Sequence, residues 1–315
     1  MTKFLLYEPI HEAGLNVLRE AGEVRMASAT DEETILSEIG DIDGVVIRSQ
    51  GAMTRRIMEN APNLRVVGRH GVGVDNVDLE AATDHGIQVV NTPQATVESV
   101  AEHTLGLMLA VSKRISYADR ELRKGRFEVR YGEKGRELCG RTLGIIGFGR
   151  IGRRVAQVCH HGFNMSILYS DLVPAPELER EVGARKVSME ELLQTAEYVS
   201  VHVPLLPSTE QLIGEREFDL MTEDTIFFNC SRGPVVDEAA LYDALAEGKI
   251  RGAGIDVFEE EPTPADNPLF TLDNIVVTPH MASATQEAMR SMSLVAEDVV
   301  GVLEGKPPMY PVNEV

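Results

Sequence analysis

The run Leu143-Gly-Ile-Ile-Gly-Phe-Gly-Arg-Ile-Gly-Arg-Arg-Val-Ala-Gln-Val-Cys159 reads as an apolar strand, a glycine turn and an amphipathic helix. Gly147, Gly149 and Gly152 fall at the G-x-G-x-x-G spacing that lets backbone approach a pyrophosphate. The first allows the tight turn, the second the close approach, and the third the packing of helix on strand. The helix opening at Arg150 and Ile151 offers its leading amides to the anion. Asp171 stands nineteen residues after Gly152, beyond the next strand, where a carboxylate accepts from the adenosine ribose and repels a 2′-phosphate. The turn is therefore expected to bind NAD rather than NADP.

Outward from this unit the same alternation continues in both directions. Lys3–Tyr7, Gly44–Arg48, Leu64–Gly68 and Ile87–Val90 read as buried strands on the N-terminal side. Thr30-Asp-Glu-Glu33 reads as a capping box, and Asp78 opens another helix. Further strands are expected at Thr142–Ile146, Met165–Tyr169, Val199–Val203, Thr225–Cys230, Gly252–Val257 and Ile275–Thr278, with helices starting near Arg150, Ser188 and Asp237. Such alternation implies βαβ units and parallel sheets. Two long helices, about Thr96–Lys124 and Thr285–Leu303, bracket the second set of strands and read as crossings between two domains.

The chain has 315 residues, and about 150 residues per domain makes two domains the expectation. With 30 basic against 50 acidic side chains its formal charge is −20, a field that repels nucleic acid and anionic membranes. Cys139, Cys159 and Cys230 are odd in number and far apart, which excludes a disulfide framework or zinc cluster and fits a reducing compartment. No metal site is expected. The longest apolar stretch, Leu105–Val111, is far short of a membrane span, so a cytoplasmic location is expected.

Three successive strand ends carry an arginine, glutamates and a histidine: Arg232, Glu259-Glu-Glu261 and His280. Together they suit reduction of a 2-keto acid. A planar guanidinium grips a carboxylate bidentately, an imidazole exchanges the proton, and a carboxylate orients the ring and favours imidazolium.

With these motifs in place the sequence resembles the D-isomer-specific 2-hydroxyacid dehydrogenases along nearly its whole length. The resemblance rests on Gly68–Asp78, Asn91-Thr-Pro93, Val100-Ala-Glu-His-Thr104, Gly147–Gly152, His202-Val-Pro-Leu205, Phe228–Asp237, Asp256–Pro262 and Thr278-Pro-His280. It implies a Rossmann nucleotide-binding domain inserted into a flavodoxin-like α/β substrate domain. Residues 1–98 with 287–315 would form the substrate domain and 99–286 the NAD domain, with the active site in the cleft between them. By the same resemblance Arg232 binds the substrate carboxylate, His280 is the acid/base and Glu261 is its partner. Val203 and Pro204 would line the nicotinamide ribose, Asp256 and Ala282 the carboxamide, Cys230 the nicotinamide side and Thr104 the nicotinamide end. Arg48, Ser49 and Gln50, with Val72 and Gly73, would face the substrate.

The chain departs from the family pattern at Tyr169-Ser-Asp171, where Tyr-Asp-Pro is common, and at His70, where a small or apolar residue is usual. The expected substrates are 3-phosphoglycerate, hydroxypyruvate or glyoxylate, and the expected assembly is a homodimer. Since the sequence stops soon after its last helix, no regulatory domain is expected. The alternative is an NAD-sensing, non-catalytic scaffold like the corepressors that share this fold.

Overall fold

A computed structural model describes residues 1–315 as two compact units, Met1–Thr96 with Ser283–Val315, and Val97–Ala282. The divisions fall at the start of a helix, at 96/97, and in the loop at 282/283, against the expected 98/99 and 286/287.

The first unit opens with β1 (Thr2–Leu6), α1 (Glu12–Ala21), β2 (Gly22–Met26), α2 (Glu32–Glu38), β3 (Gly44–Ile47), α3 (Arg55–Glu59), β4 (Val66–Arg69), α4 (Leu79–Asp84) and β5 (Gln88–Val90). All five strands are parallel, in the order β2-β1-β3-β4-β5, the flavodoxin-type arrangement. Alternation along β1 shows why both faces are apolar. Leu5 and Tyr7 pack with Ile35, Ile39 and Ile57 on one side, while Phe4 and Leu6 pack with Leu18, Val295 and Val299 on the other. Edge strand β2 escapes a search for apolar runs because Glu23 and Arg25 interrupt it. The capping expected from Thr30 is done one residue later, by Asp31, whose side chain accepts from the Thr34 amide at 3.1 Å.

The second unit runs α5 (Val97–Ser112), α6 (Ile115–Arg123), a 3₁₀ turn at Phe127–Tyr131, β6 (Thr142–Ile146), α7 (Arg150–Phe163), β7 (Ser166–Ser170), α8 (Pro176–Val182), β8 (Arg185–Lys186), α9 (Met189–Thr195), β9 (Tyr198–Val201), α10 (Glu215–Leu220), β10 (Ile226–Asn229), α11 (Glu238–Ala246), β11 (Gly252–Ile255) and β12 (Ile275–Val277). Its seven parallel strands are ordered β12-β11-β10-β9-β6-β7-β8. The order reverses between β6 and β9, so the glycine turn after β6 lies at the switch point where open α/β sheets bind ligands. Ser188 and Asp237 cap α9 and α11 as expected, accepting from the Glu191 and Ala240 amides.

The chain returns to the first unit as α12 (Gln286–Ser293) and α13 (Val295–Leu303). Both long helices read from the sequence are therefore broken. Arg114 takes a left-handed backbone, φ 55°, between α5 and α6, and its guanidinium stacks 4.5 Å above the Tyr117 ring. At the second break, α1 approaches so closely that a Cβ on Gly14 would stand 2.0 Å from the Ser293 carbonyl oxygen.

The C-terminal tail covers the open edge of β5. Val90 bridges Pro311 antiparallel, and Val312 donates to the Val89 carbonyl at 2.9 Å. The Asn313 carboxamide accepts from the Val89 amide at 2.7 Å and donates to the Ile87 carbonyl at 3.0 Å. Asn313→Ala is expected to destabilise the first unit by about 1–2 kcal/mol, since two backbone groups lose partners. A urea midpoint equal to that of the wild type would show that the tail contributes nothing to this edge.

Candidate active site

At the glycine turn the three glycines do different jobs. Gly147 has φ 89°, and a Cβ there would stand 2.7 Å from the His202 carbonyl carbon and 2.8 Å from Val203 Cγ1. A Cβ on Gly152 would stand 2.3 Å from the Gly147 carbonyl oxygen, so this residue lets α7 close on the turn. Gly149 differs: nothing lies within 4 Å of the Cβ it lacks. The space beside it suits an incoming pyrophosphate. Helix α7 begins here with no side-chain cap and no acid in its first turn, which leaves its leading amides for an anion. Arg150 is exposed at that first turn, and Ile151 packs back on the core. These residues fit a dinucleotide.

Asp171 follows β7 and spans the turn. Its Oδ2 accepts from the Phe148 amide at 2.6 Å and Oδ1 from the Val173 amide at 2.9 Å. Phe148 stacks on Tyr169, ring centroids 4.2 Å apart, so Asp171 is held from both sides of the turn. Its two oxygens keep lone pairs free for ribose hydroxyls.

The ends of β10, β11 and β12 bring Arg232, Glu261 and His280 together. Gly233 makes this possible: a Cβ there would stand 1.8 Å from the Phe258 carbonyl oxygen, so the Arg232 loop lies directly on the loop that carries Glu261. His280 Nδ1 lies 2.6 Å from Glu261 Oε2, and Glu261 Oε1 accepts from the Phe258 amide at 3.0 Å. The pair is partly open, with side-chain exposures of 45% and 36%. Burial by itself would raise the Glu261 carboxyl. The His280 hydrogen bond, the Phe258 amide and the positive charges of His280 and Arg232 outweigh that and hold it below the usual carboxylate range. With Nδ1 committed to Glu261, Nε2 is the ring atom left to exchange a proton.

Asp256, next after β11, is 1% exposed and internally bonded. Oδ1 accepts from Thr278 Oγ1 at 2.6 Å and the Met281 amide at 2.9 Å, and Oδ2 from the Ala282 amide at 2.8 Å. Cys230 and Ala282 are nearly covered, and burial pushes the Cys230 thiol up to about 12. Thr104 departs from the expectation that it meets the nicotinamide end. It is fully buried and its hydroxyl donates to the Val100 carbonyl at 2.8 Å, so it backs Cys230 from inside the core. Val203 packs against the glycine turn, and Pro204 is exposed.

In the first unit, Glu8 organises the loop after β3, accepting from the Ser49 and Gln50 amides, both at 2.8 Å. Arg48 donates to the Pro9 carbonyl at 2.9 Å. The Val72 carbonyl accepts from Asn91 at 2.7 Å, and Gly71, φ 135°, turns the chain ahead of Val72 and Gly73. His70 is buried and Nε2 has no partner; burial, then the charge of Arg48, pulls it down to about 3. His103 and Thr278, which contact Asp256, and Ser99, which donates to the Ala282 carbonyl, went unassigned in the sequence although His103 stands in the Val100–Thr104 motif.

The profile of the D-isomer specific 2-hydroxyacid dehydrogenase NAD binding domain matches residues 105–282. The chain is 46% identical over 308 residues to a D-3-phosphoglycerate dehydrogenase of Methanocaldococcus jannaschii, covering 97% of this chain and 58% of the relative, so it spans a little over half that protein's length. It is 40% identical to a glyoxylate reductase of Korarchaeum cryptofilum, covering 97% of this chain and 94% of the relative. Among solved structures, a protein of Thermus thermophilus superposes with a TM-score of 0.91 at 35% identity, covering 99% of this chain and all of the other.

The glycines separate packing from binding. Gly149→Ala should melt within about one degree of the wild type yet bind NADH at least about tenfold more weakly, because only the ligand competes for the space, and about tenfold is 1.4 kcal/mol. Gly152→Ala should lose stability as well. NADH fluorescence titration and thermal melts check both, and unchanged NADH affinity in Gly149→Ala would remove the cradle.

Proposed function

The chain belongs to the D-isomer-specific 2-hydroxyacid dehydrogenase family, and we propose that it transfers hydride reversibly between NAD and a small 2-hydroxy or 2-keto acid. The substrate class is 3-phosphoglycerate, hydroxypyruvate or glyoxylate, in line with the activities named for the relatives. The observation that carries this reading is the His280–Glu261 contact at 2.6 Å with Arg232 on the adjoining loop. In this reading Arg232 holds the substrate carboxylate, His280 Nε2 gives or takes the proton on the oxygen, and Glu261 keeps the ring oriented. The bound nicotinamide supplies or accepts the hydride.

No helix is long and apolar enough to cross a membrane. The three cysteines are unpaired, which supports a reducing, cytoplasmic setting. Ile115, Leu122, Phe127 and Tyr131 are all more than half exposed along one short stretch, which supports association with a second copy as a homodimer.

A panel of 2-keto acids assayed with NADH tests the reaction; NADH binding without turnover of any of them would favour a non-catalytic, NAD-sensing role. Arg232→Ala should lower kcat/KM by about tenfold or more, since a hydrogen bond to a charged group contributes about 1.5–3 kcal/mol. Lys at 232 should rescue poorly, lacking the planar fork. An unchanged KM for the keto acid in Arg232→Ala would remove its role.

The depressed Glu261 carboxyl gives the sign of the pH dependence. Its carboxylate form persists below the ordinary range and is lost only as pH falls through the lowered value. Glu261→Gln, which cannot ionise, should therefore lose the low-pH limb that protonation of this carboxylate sets. Profiles of kcat/KM in both directions decide this, and limbs that stay in place exclude Glu261 as the partner. Asp171→Ala should weaken NADH and improve relative use of NADPH, as the charge that repels a 2′-phosphate is gone; equal use of both cofactors by the wild type would count against this assignment.

A further inference from the structure

Ser99 and His103 lie four residues apart on α5, hence on one face. Both reach the loop that carries His280. Ser99 Oγ donates to the Ala282 carbonyl at 2.5 Å. His103 Nε2 stands 2.9 Å from Thr278 Oγ1 and 3.4 Å from Asp256 Oδ1. The single hydroxyl proton of Thr278 goes to Asp256 at 2.6 Å, so its oxygen can only accept from His103. Hydrogen-bond accounting thus puts the His103 proton on Nε2.

Asp256 passes the constraint onward. Its carboxylate holds the Met281 and Ala282 amides, and its carbonyl accepts from the His280 amide at 2.6 Å. Between these ties His280 adopts a left-handed backbone, φ 49°. That conformation is sparsely populated for a non-glycine residue and persists only where surrounding bonds over-determine it. Burial alone would raise the Asp256 carboxyl; the hydrogen bonds from His103, Thr278 and the two amides hold it below the usual range instead.

We propose that His103 is a positioning residue for the reaction: acting through Thr278 and Asp256, it holds residues 278–282 so that the His280 ring stays on Glu261. This rests on His280 being the acid/base. A misplacement of about 1 Å at the reacting groups costs on the order of a hundredfold in rate.

His103→Leu should lower kcat by about ten- to a hundredfold, counted per NADH-binding site, with KM for the keto acid and NADH affinity within about twofold of the wild type. His103→Gln, whose amide can still donate to Thr278, should recover most of the loss. Wild-type kcat in His103→Leu, or equal losses in Leu and Gln, would overturn the proposal. Should His103→Leu fail to fold, Thr278→Val removes the same link at equal volume and should show the same selective loss of kcat; wild-type kcat there overturns it too. A readout independent of turnover is the NMR shift of the His280 ring Cε1–H, which should move in His103→Leu and return in His103→Gln. An unmoved signal overturns the proposal, whereas a wild type that turns over no 2-keto acid overturns the proposed reaction and leaves this signal to decide the role of His103.

Discussion

A parallel sheet with helices on both faces has room for polar chemistry only where its strands end. In the second unit Val199, Val201, Phe227, Phe228 and Ala253 are buried on one face or the other and leave no place for charge. Because every strand runs the same way, all carboxyl ends share one edge of the sheet. Asp171 follows β7, Arg232 follows β10, Asp256 follows β11, and Thr278 with His280 follows β12. The nucleotide turn and the cluster of Arg232, Glu261 and His280 thus share one edge of the sheet through topology, although they come from segments far apart in sequence.

Closeness at that edge is then set by missing side chains. Gly147, Gly152 and Gly233 each bring backbone to within a distance that a Cβ would forbid. Gly149 leaves its space unfilled. The nucleotide motif therefore contains two kinds of glycine: Gly147 and Gly152 are required by the fold, and Gly149 is left open for the ligand. The spacing already implies this division, with the second glycine as the one left open.

The buried Asp256 carboxylate shows how the edge tolerates charge. Desolvation disfavours it, but donors from Thr278, Met281 and Ala282, with His103 close by, supply what water would have supplied. Those donors also fix the path of the chain around His280. The groups that stabilise the charge are therefore the groups that hold the strained backbone, so electrostatics and geometry at this site cannot be separated.

The succession of central strands, the nucleotide turn and the caps at Ser188 and Asp237 were legible in the sequence, as was the placing of Arg232, Glu259-Glu-Glu261 and His280 at three strand ends, whereas Glu261 was singled out only by the family resemblance. Each depends on local spacing or on a residue type with few alternative uses. Strands β2 and β8 were not, because polar edge strands lack the apolar run that marks a central one. The breaks at Arg114 and Leu294 were not, because helical periodicity continues across them while packing decides where the axis turns. Thr104 was placed beside a ligand by its motif and lies instead in the core, since a motif fixes order along the chain and not which way a side chain faces. Local chemistry thus determined the fold class and the candidate reacting groups. Only the tertiary structure could decide that Ser99 and His103 meet the loop of Asp256 and Thr278, because a contact across more than 150 residues arises from the packing of α5 on the sheet and leaves no periodic trace in the sequence.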